Sequence, residues 1–264
     1  MTEYYFLASL LPPLEIGHLP SLPFKELKEL MWVNLDREDR KMVHDFLRLI
    51  DIENLRLFWA DEPIDTRGNF TQTEFEQALT DMAWSEMEEF PDYLVDYLEK
   101  YQTDEARLWH FQKLLTNFYV EMEGRAEGFI QEYVTFQHEW QLVLLGFRVK
   151  KLGRDISTEL RYEDASNPIV AQILAQKDAV IYEPPFEYKE LKHVFEEKSA
   201  VSLDLHKALC EYQFNVIVER WGQEHFAIDH ILNYMARLLL VEKWQELDVQ
   251  KGIEVIDTVE GKIR

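Results

Sequence analysis

The sequence predicts an all-α protein. Long segments rich in Leu, Glu, Lys, Gln and Ala repeat their apolar residues at helical rather than alternating spacing. Helix breakers are sparse, with nine Gly and nine Pro in 264 residues. A chain that is 47% hydrophobic and 13% aromatic has ample material for a packed core, in one large or two smaller domains.

Each element follows from local signals. Thr2 is placed to cap a short helix through Tyr5 and Leu10 that Pro12 stops, and an extended link over 12–20 follows. Ser21-Leu22-Pro23 opens a helix with Phe24, Leu27, Leu30 and Met31 on its buried face. Asp36 caps a helix over 37–59 whose apolar face is Val43, Phe46, Leu47, Ile50, Leu57 and Phe58. Pro63 and Arg67-Gly68-Asn69 make 61–70 a loop, after which Thr71 and Glu74 have capping-box spacing before Phe75, Leu79 and Met82. Pro91 opens a short helix through Leu94 and Leu98. Thr103 or Asp104 caps a longer one that buries Leu108, Phe111, Leu115 and Phe118 and fades at Gly124. From Gly128 a helix runs to about Val149 with Phe129, Tyr133, Phe136, Trp140, Val143, Leu144 and Phe147. Asn167-Pro168 begins a helix through Val170, Ile173 and Leu174, and Pro184-Pro185 precedes one over 186–198 with Tyr188, Leu191 and Phe195 inward. Ser199 or Ser202 caps the next, through Leu205, Leu209, Tyr212, Phe214, Ile217 and Val218, and Gly222 stops it. A last long helix over 224–246 carries Phe226, Ile231, Tyr234, Leu238, Leu239 and Val241; Gly252 turns a corner before a terminal helix over 253–259.

One helix breaks its own pattern. Asn54 falls in the middle of the apolar stripe of 37–59, with Asp51 one turn before it, and polar groups buried there must be hydrogen-bonded or cost about 1–3 kcal/mol. Similar polar-x-x-amide pairs stand at His138/Gln141 and Glu242/Gln245, and both of these lie beside Trp-Gln, at Trp140-Gln141 and Trp244-Gln245. The first two pairs are each followed by a basic, Gly-containing segment, a hydroxyl residue (Thr71, Ser157) and a new helix. This shared order reads as a duplicated unit within a single helical protein, with approximate repeats 1–101, 102–176 and 177–264. The polar pair is expected to fix packing register between helices.

Charge narrows the partners. Fifty acidic against 28 basic residues give a net charge of -22, a field that repels nucleic-acid backbones and anionic bilayers. Acidity serves solubility in the simpler reading and a basic partner in the other. The local exception, Arg148, Lys150, Lys151 and Arg154, either complements the dipole of its own helix end or docks an acidic partner segment. A single cysteine, Cys210, excludes an internal disulfide and fits a reducing compartment. The apolar run over 4–11 is short, lacks a basic flank and meets Pro12-Pro13, so it does not read as a signal peptide. No window approaches the roughly 18–20 apolar residues of a membrane span, and a cytoplasmic protein is expected.

Signatures of chemistry are thin. A carboxylate-bridged metal site needs paired Glu-x-x-His motifs in a bundle, and Glu190-Leu191-Lys192-His193 supplies one, with Lys192 arguing for exposure. Glu224-His225 and Asp229-His230 read most simply as a polar helix start, and Glu86, Glu88 and Glu89 as a solvated acidic turn. Phosphate-cradling Gly loops and the Gly-x-Ser-x-Gly elbow do not occur. No catalytic residue, metal or cofactor is assigned; the enzyme alternative is a metal-dependent helical bundle using His193, His225 and His230.

Asp51-Ile52-Glu53-Asn54-Leu55-Arg56, followed by Arg67-Gly68-Asn69 and Thr71-x-x-Glu74-Phe75, resembles a recurring pattern in the C subunit of archaeal and bacterial V/A-type ATPases, called d in eukaryotic V-type pumps. The start Tyr4-Tyr5-Phe6-Leu7-Ala8-Ser9-Leu10, with Leu11-Pro12-Pro13-Leu14, is similar to a bacterial branch associated with those pumps. The resemblance implies an all-helical funnel of three related bundles, without catalytic residues or cofactor, acting as a socket between the central rotor shaft and the membrane proteolipid ring. Asp51, Asn54 and Arg56 carry over as its motif, with His138/Gln141 and Glu242/Gln245 as worn copies that lack Asn-Leu-Arg. The function it implies is a non-catalytic coupling subunit of a V-type ATP synthase, attached to the membrane only through protein partners, or an adaptor or assembly factor of the same complex.

Overall fold

Apolar residues at three- and four-residue spacing fold as helices throughout, and no strand occurs among the described residues. The computed structural model describes residues 4–80, 91–198, 201–221 and 227–263, with the backbone alone at 79–80 and 250–263. In chain order the helices are α1 (Tyr5–Leu10), α2 (Phe24–Asn34), α3 (Arg37–Trp59), α4 (Gln72–Thr80), α5 (Asp92–Lys100), α6 (Asp104–Trp109), α7 (Phe111–Arg125), α8 (Gly128–Leu152), α9 (Ile156–Glu159), α10 (Pro168–Ala175), α11 (Glu190–Lys198), α12 (Ser202–Trp221) and α13 (Ile228–Ile263). The chain divides into two compact units, one made of Met1–Arg40 with Glu183–Arg264 and the other of Lys41–Tyr182. These boundaries differ from the three-fold order of the sequence motifs.

In the first unit, α12 and α13 form an antiparallel hairpin. Asn233 Nδ2 donates to the Trp221 carbonyl at 3.1 Å at the C-terminal end of α12, and toward the other end of α12 Trp244 Nε1 donates to Glu211 at 2.8 Å and Lys207 pairs with Asp248 at 2.6 Å. Ile231, Leu232, Met235, Ala236, Leu238 and Val241 of α13 are fully buried. Such side chains contribute about 1.5–3 kcal/mol each when large and fully enclosed.

The second unit is built around α8, which is buried on nearly every side. A helix enclosed this way carries apolar residues all round, and its polar residues must find partners inside the protein. Aromatic rings knit the unit: Phe46 against Tyr133 at 5.1 Å, Trp59 stacked on Tyr97 at 5.9 Å, and Phe147 edge-on to Tyr182 at 5.0 Å.

The caps read from sequence form. Asp36 accepts from the Glu38 and Asp39 amides at 3.0 Å each; Thr71 and Glu74 close a capping box, with Glu74 accepting the Thr71 amide at 2.7 Å; Thr103 accepts from Ala106 at 3.2 Å and Asn167 from Ile169 at 2.9 Å.

Other expectations are corrected. The helix foreseen over 103–124 breaks at His110 into α6 and α7, and Leu108 is exposed. The His110 backbone leaves the helical region because its ring is held elsewhere, bonded to the Tyr162 hydroxyl at 2.6 Å and stacked on Tyr101 at 4.3 Å. The helix expected to end at about Val149 runs on to Leu152, so residues 148–152 are the last turn of α8. The link over 12–20 contains a turn at 16–18, where Gly17 has φ +88 beneath the Trp244 ring. No corner forms at Gly252: α13 passes straight through it, since a helical glycine costs only about 1 kcal/mol and good helix formers flank it. Phe186–Tyr188 forms a tight 3-10 turn ahead of α11, and Val218 is exposed. The readings at Thr2, Met82, Glu86, Glu88, Glu89, Ser199, Gly222, Glu224, His225 and Phe226 lie outside the described residues, as does the side chain of Leu79.

Candidate functional site

Asp51 and Asn54 point from α3 onto the loop that follows it. Asn54, with no solvent exposure, donates Nδ2 to the Asp65 carbonyl at 2.8 Å and accepts the Asp65 amide at 2.7 Å. Asp51 Oδ1 accepts the Asn69 amide at 2.7 Å and the Phe70 amide at 3.3 Å, while Oδ2 accepts from Asn69 Nδ2 at 2.6 Å. Asp65 in turn receives Arg67 through two guanidinium bonds of 2.8 and 2.7 Å, and Asn69 Nδ2 also reaches the His44 carbonyl at 2.9 Å. Gly68 lies so close that a Cβ there would meet Asp51 Oδ1 at 2.5 Å. The pair thus closes a loop onto its own helix; the expectation of a register lock between helices is corrected. Arg56, the third motif residue, makes only a partly exposed pair with Glu53 at 3.2 Å.

His138 does something different. Its Nδ1 bonds Glu123 on α7 at 2.9 Å, its Nε2 bonds Glu163 after α9 at 3.0 Å, and the Tyr119 ring stacks on it at 4.5 Å. Burial opposes a charge on His138, but the two carboxylates outweigh it and raise its pKa to about 9. Glu163 is buried too; burial would push its pKa up, yet the bonds from His138, Thr116 and Gln112 hold it below the ordinary carboxylate range. Both directions describe an imidazolium clamped between two carboxylates. Gln141 is half-buried. Glu163, Thr116 and Gln112 carried no sequence signal, because the contacts join residues about fifty and twenty-five positions apart.

The third pair is different again. Glu242 accepts the Phe24 amide at 2.6 Å, supplying from α13 the cap that Pro23 cannot give α2. Gln245 is half-buried beside Trp244, whose ring carries the Lys207 ammonium at 3.7 Å.

The basic segment divides. Lys150 donates to the carbonyls of Gln176, Lys177 and Ala179 at 2.7, 2.8 and 2.6 Å, satisfying the end of α10. It is a structural cap and is not available to a partner. Arg154 pairs with Glu159 at 3.3 Å, exposed Arg148 lies within electrostatic reach of Glu53, and Lys151 is exposed. Among the metal candidates, His193 is exposed and stands 3.8 Å from Glu196, and His230 is half-buried. No three His, Cys, Asp or Glu gather to hold a metal among the described residues. No helix of the described residues is long and apolar enough to cross a membrane.

Fold and site together define a class: an all-α protein in which Asp51 and Asn54 bind the chain's own backbone and His138 and Glu163 form its own ion pair. The chain belongs to the family described as "Protein of unknown function (DUF2764)", which it matches over residues 1–263. Relatives described as uncharacterized proteins, from Chlamydia muridarum, Chlamydia trachomatis serovar D and Chlamydia pneumoniae, are each 33% identical over 265 residues, covering 100% of both chains. No solved structure matches. The resemblance to the V/A-type ATPase C/d family is corrected by this match, and the expected three-bundle funnel loses its basis. The physical reason lies in the motif: Asp51 and Asn54 answer a local need, tying a loop to the helix before it, that unrelated helical proteins share.

Proposed function

We propose that this protein is a non-catalytic docking subunit, a stiff helical body that joins partner proteins in a larger assembly. One observation carries the reading: Asp51, Asn54 and His138, the polar side chains that stand out on the apolar helices of the second unit, are bound by the chain itself. Asp51 and Asn54 are taken by a loop, and His138 by two carboxylates. A general base or nucleophile needs a reacting atom within hydrogen-bond reach of a free valence, whereas a coupling part needs rigidity and interfaces.

The assembly to test first is a V-type ATP synthase, with the rotor shaft and the proteolipid ring as partners; the support is the aromatic-knit helical packing, which suits a part that transmits torque. Tagged protein purified from its source cell in mild detergent should retain shaft or ring subunits. A fixed copy number per assembled complex marks a coupling subunit, and presence only in immature complexes marks an assembly factor. Recovery of neither shaft nor ring removes this assembly from the proposal.

A further inference from the structure

The break at His110 assembles a face that the linear sequence scatters. Lys100 at the end of α5 lies over the Tyr101 ring at 5.5 Å, Tyr101 stacks on His110 at 4.3 Å, and His110 Nδ1 bonds the Tyr162 hydroxyl at 2.6 Å. Arg161 sits over the Tyr162 ring at 4.7 Å and donates to the Trp109 carbonyl at 3.4 Å. Trp109 itself is 72% exposed, and Leu108 beside it is also exposed. Lys113 stands one turn after His110, its amide donating to the His110 carbonyl at 2.8 Å, and burial and then the charges of Arg161, Lys100 and Lys113 lower the His110 pKa.

Two features set this face apart. In a chain with 50 acidic residues, Lys100, Lys113 and Arg161 have no carboxylate at ion-pair distance among the described residues. Two nearby carboxylates are committed elsewhere, Asp104 to Arg107 at 2.9 Å and Glu163 to His138 at 3.0 Å, while exposed Glu99 and Glu105 stand outside ion-pair distance of these cations. Beside these cations stands an exposed tryptophan, the side chain most enriched where binding energy concentrates.

We propose that the face of Lys100, Trp109, Lys113 and Arg161 docks an acidic segment of a partner protein that lays an apolar side chain on Trp109. A short segment is favoured over a long polyanion because the net charge of -22 repels an extended phosphate backbone or an anionic bilayer, while three local cations attract a few carboxylates. The inference rests on the docking reading above and names one surface for it.

Photocrosslinking tests it. Full-length protein carrying Trp109→p-benzoylphenylalanine is irradiated in native extract of the source cell, and the adduct is sequenced. An Asp/Glu-rich peptide with an apolar residue at the crosslink is expected, falling about tenfold or more when Lys113→Glu and Arg161→Glu are added. Circular dichroism checks that the substitutions at exposed Trp109 and Arg161 and at half-buried Lys113 leave the fold intact. A basic peptide, a nucleic acid or lipid adduct, an adduct indifferent to charge reversal, or none above the level at exposed Val120 overturns the face. Where the tagged chain still recovers partners without a Trp109 adduct, docking stands and this surface falls; where both are lost, both fall.

Discussion

At the residue scale, Asn54 has no solvent exposure and spends both ends of its amide on the backbone of Asp65. Asn54 was legible because it interrupted a stripe; its partner was not, because a loop backbone leaves no periodic trace. Asn54→Leu strands the Asp65 amide and carbonyl, at about 1–3 kcal/mol for each group that finds no water, and the urea midpoint should fall accordingly. A midpoint unchanged within error would mean that the clasp contributes nothing. His138 makes a sharper prediction. Its folded pKa, about 9, lies above the unfolded value of 6.5, so its contribution is complete below 6.5 and is lost as pH rises through about 9. Glu163, held low by the same pair, loses its share as pH falls below the ordinary carboxylate range. The histidine part amounts to roughly 3 kcal/mol by linkage. His138→Gln should therefore lower stability most near pH 6, with the gap to wild type narrowing toward about pH 9.5. A gap that stays constant across that range would show that the imidazole is uncharged in the folded protein.

Helix ends and helix crossings show what element-scale reading can and cannot reach. Caps that lie within three residues of the helix they close, such as Asp36 and Thr71 with Glu74, were visible in sequence; the break at His110 was not, since its cause is Tyr162. Two helices end in the same way with different residues. After α8, Gly153 takes φ +63, and Arg154 donates back to the Val149 carbonyl at 3.1 Å. After α3, Asp61 holds φ +56, and Glu62 donates to the Leu57 carbonyl at 2.9 Å. Asp61→Gly should raise the thermal midpoint, by about 0.5–1 kcal/mol in stability terms, while Gly153→Ala should lower it by a similar amount. An Asp61→Gly variant no more stable than wild type would mean that the Asp61 side chain has a job of its own. Gly146 tests the packing of α8. Alanine is better than glycine in a helix by about 1 kcal/mol, but a Cβ at 146 would meet the buried Tyr182 ring at 2.5 Å. Overpacking costs roughly 1–3 kcal/mol, so Gly146→Ala is predicted to destabilise in thermal melts; a stabilised variant would show that the Tyr182 ring yields freely.

For the whole molecule, helical periodicity was enough to give the all-α class, and α3 came out with the ends expected of it. Organisation was harder to read. Three polar pairs looked like copies, yet they close a loop, clamp an ion pair and cap another helix, and the compact units join the two chain ends into one body. Like letters at like spacing signal a shared local problem, a polar group on an apolar stripe, and the tertiary partner that solves it comes from elsewhere in the chain. The same lesson applies to the ATPase resemblance, which rested on a few residues and gave way to a match covering residues 1–263.

The most direct test of the docking account is the size of the native particle that contains this chain. Gently lysed source cells, resolved by native electrophoresis and probed for the untagged protein, should place it in an assembly several times the mass of one chain. Migration of essentially all of it as a free single chain under those conditions would contradict the account.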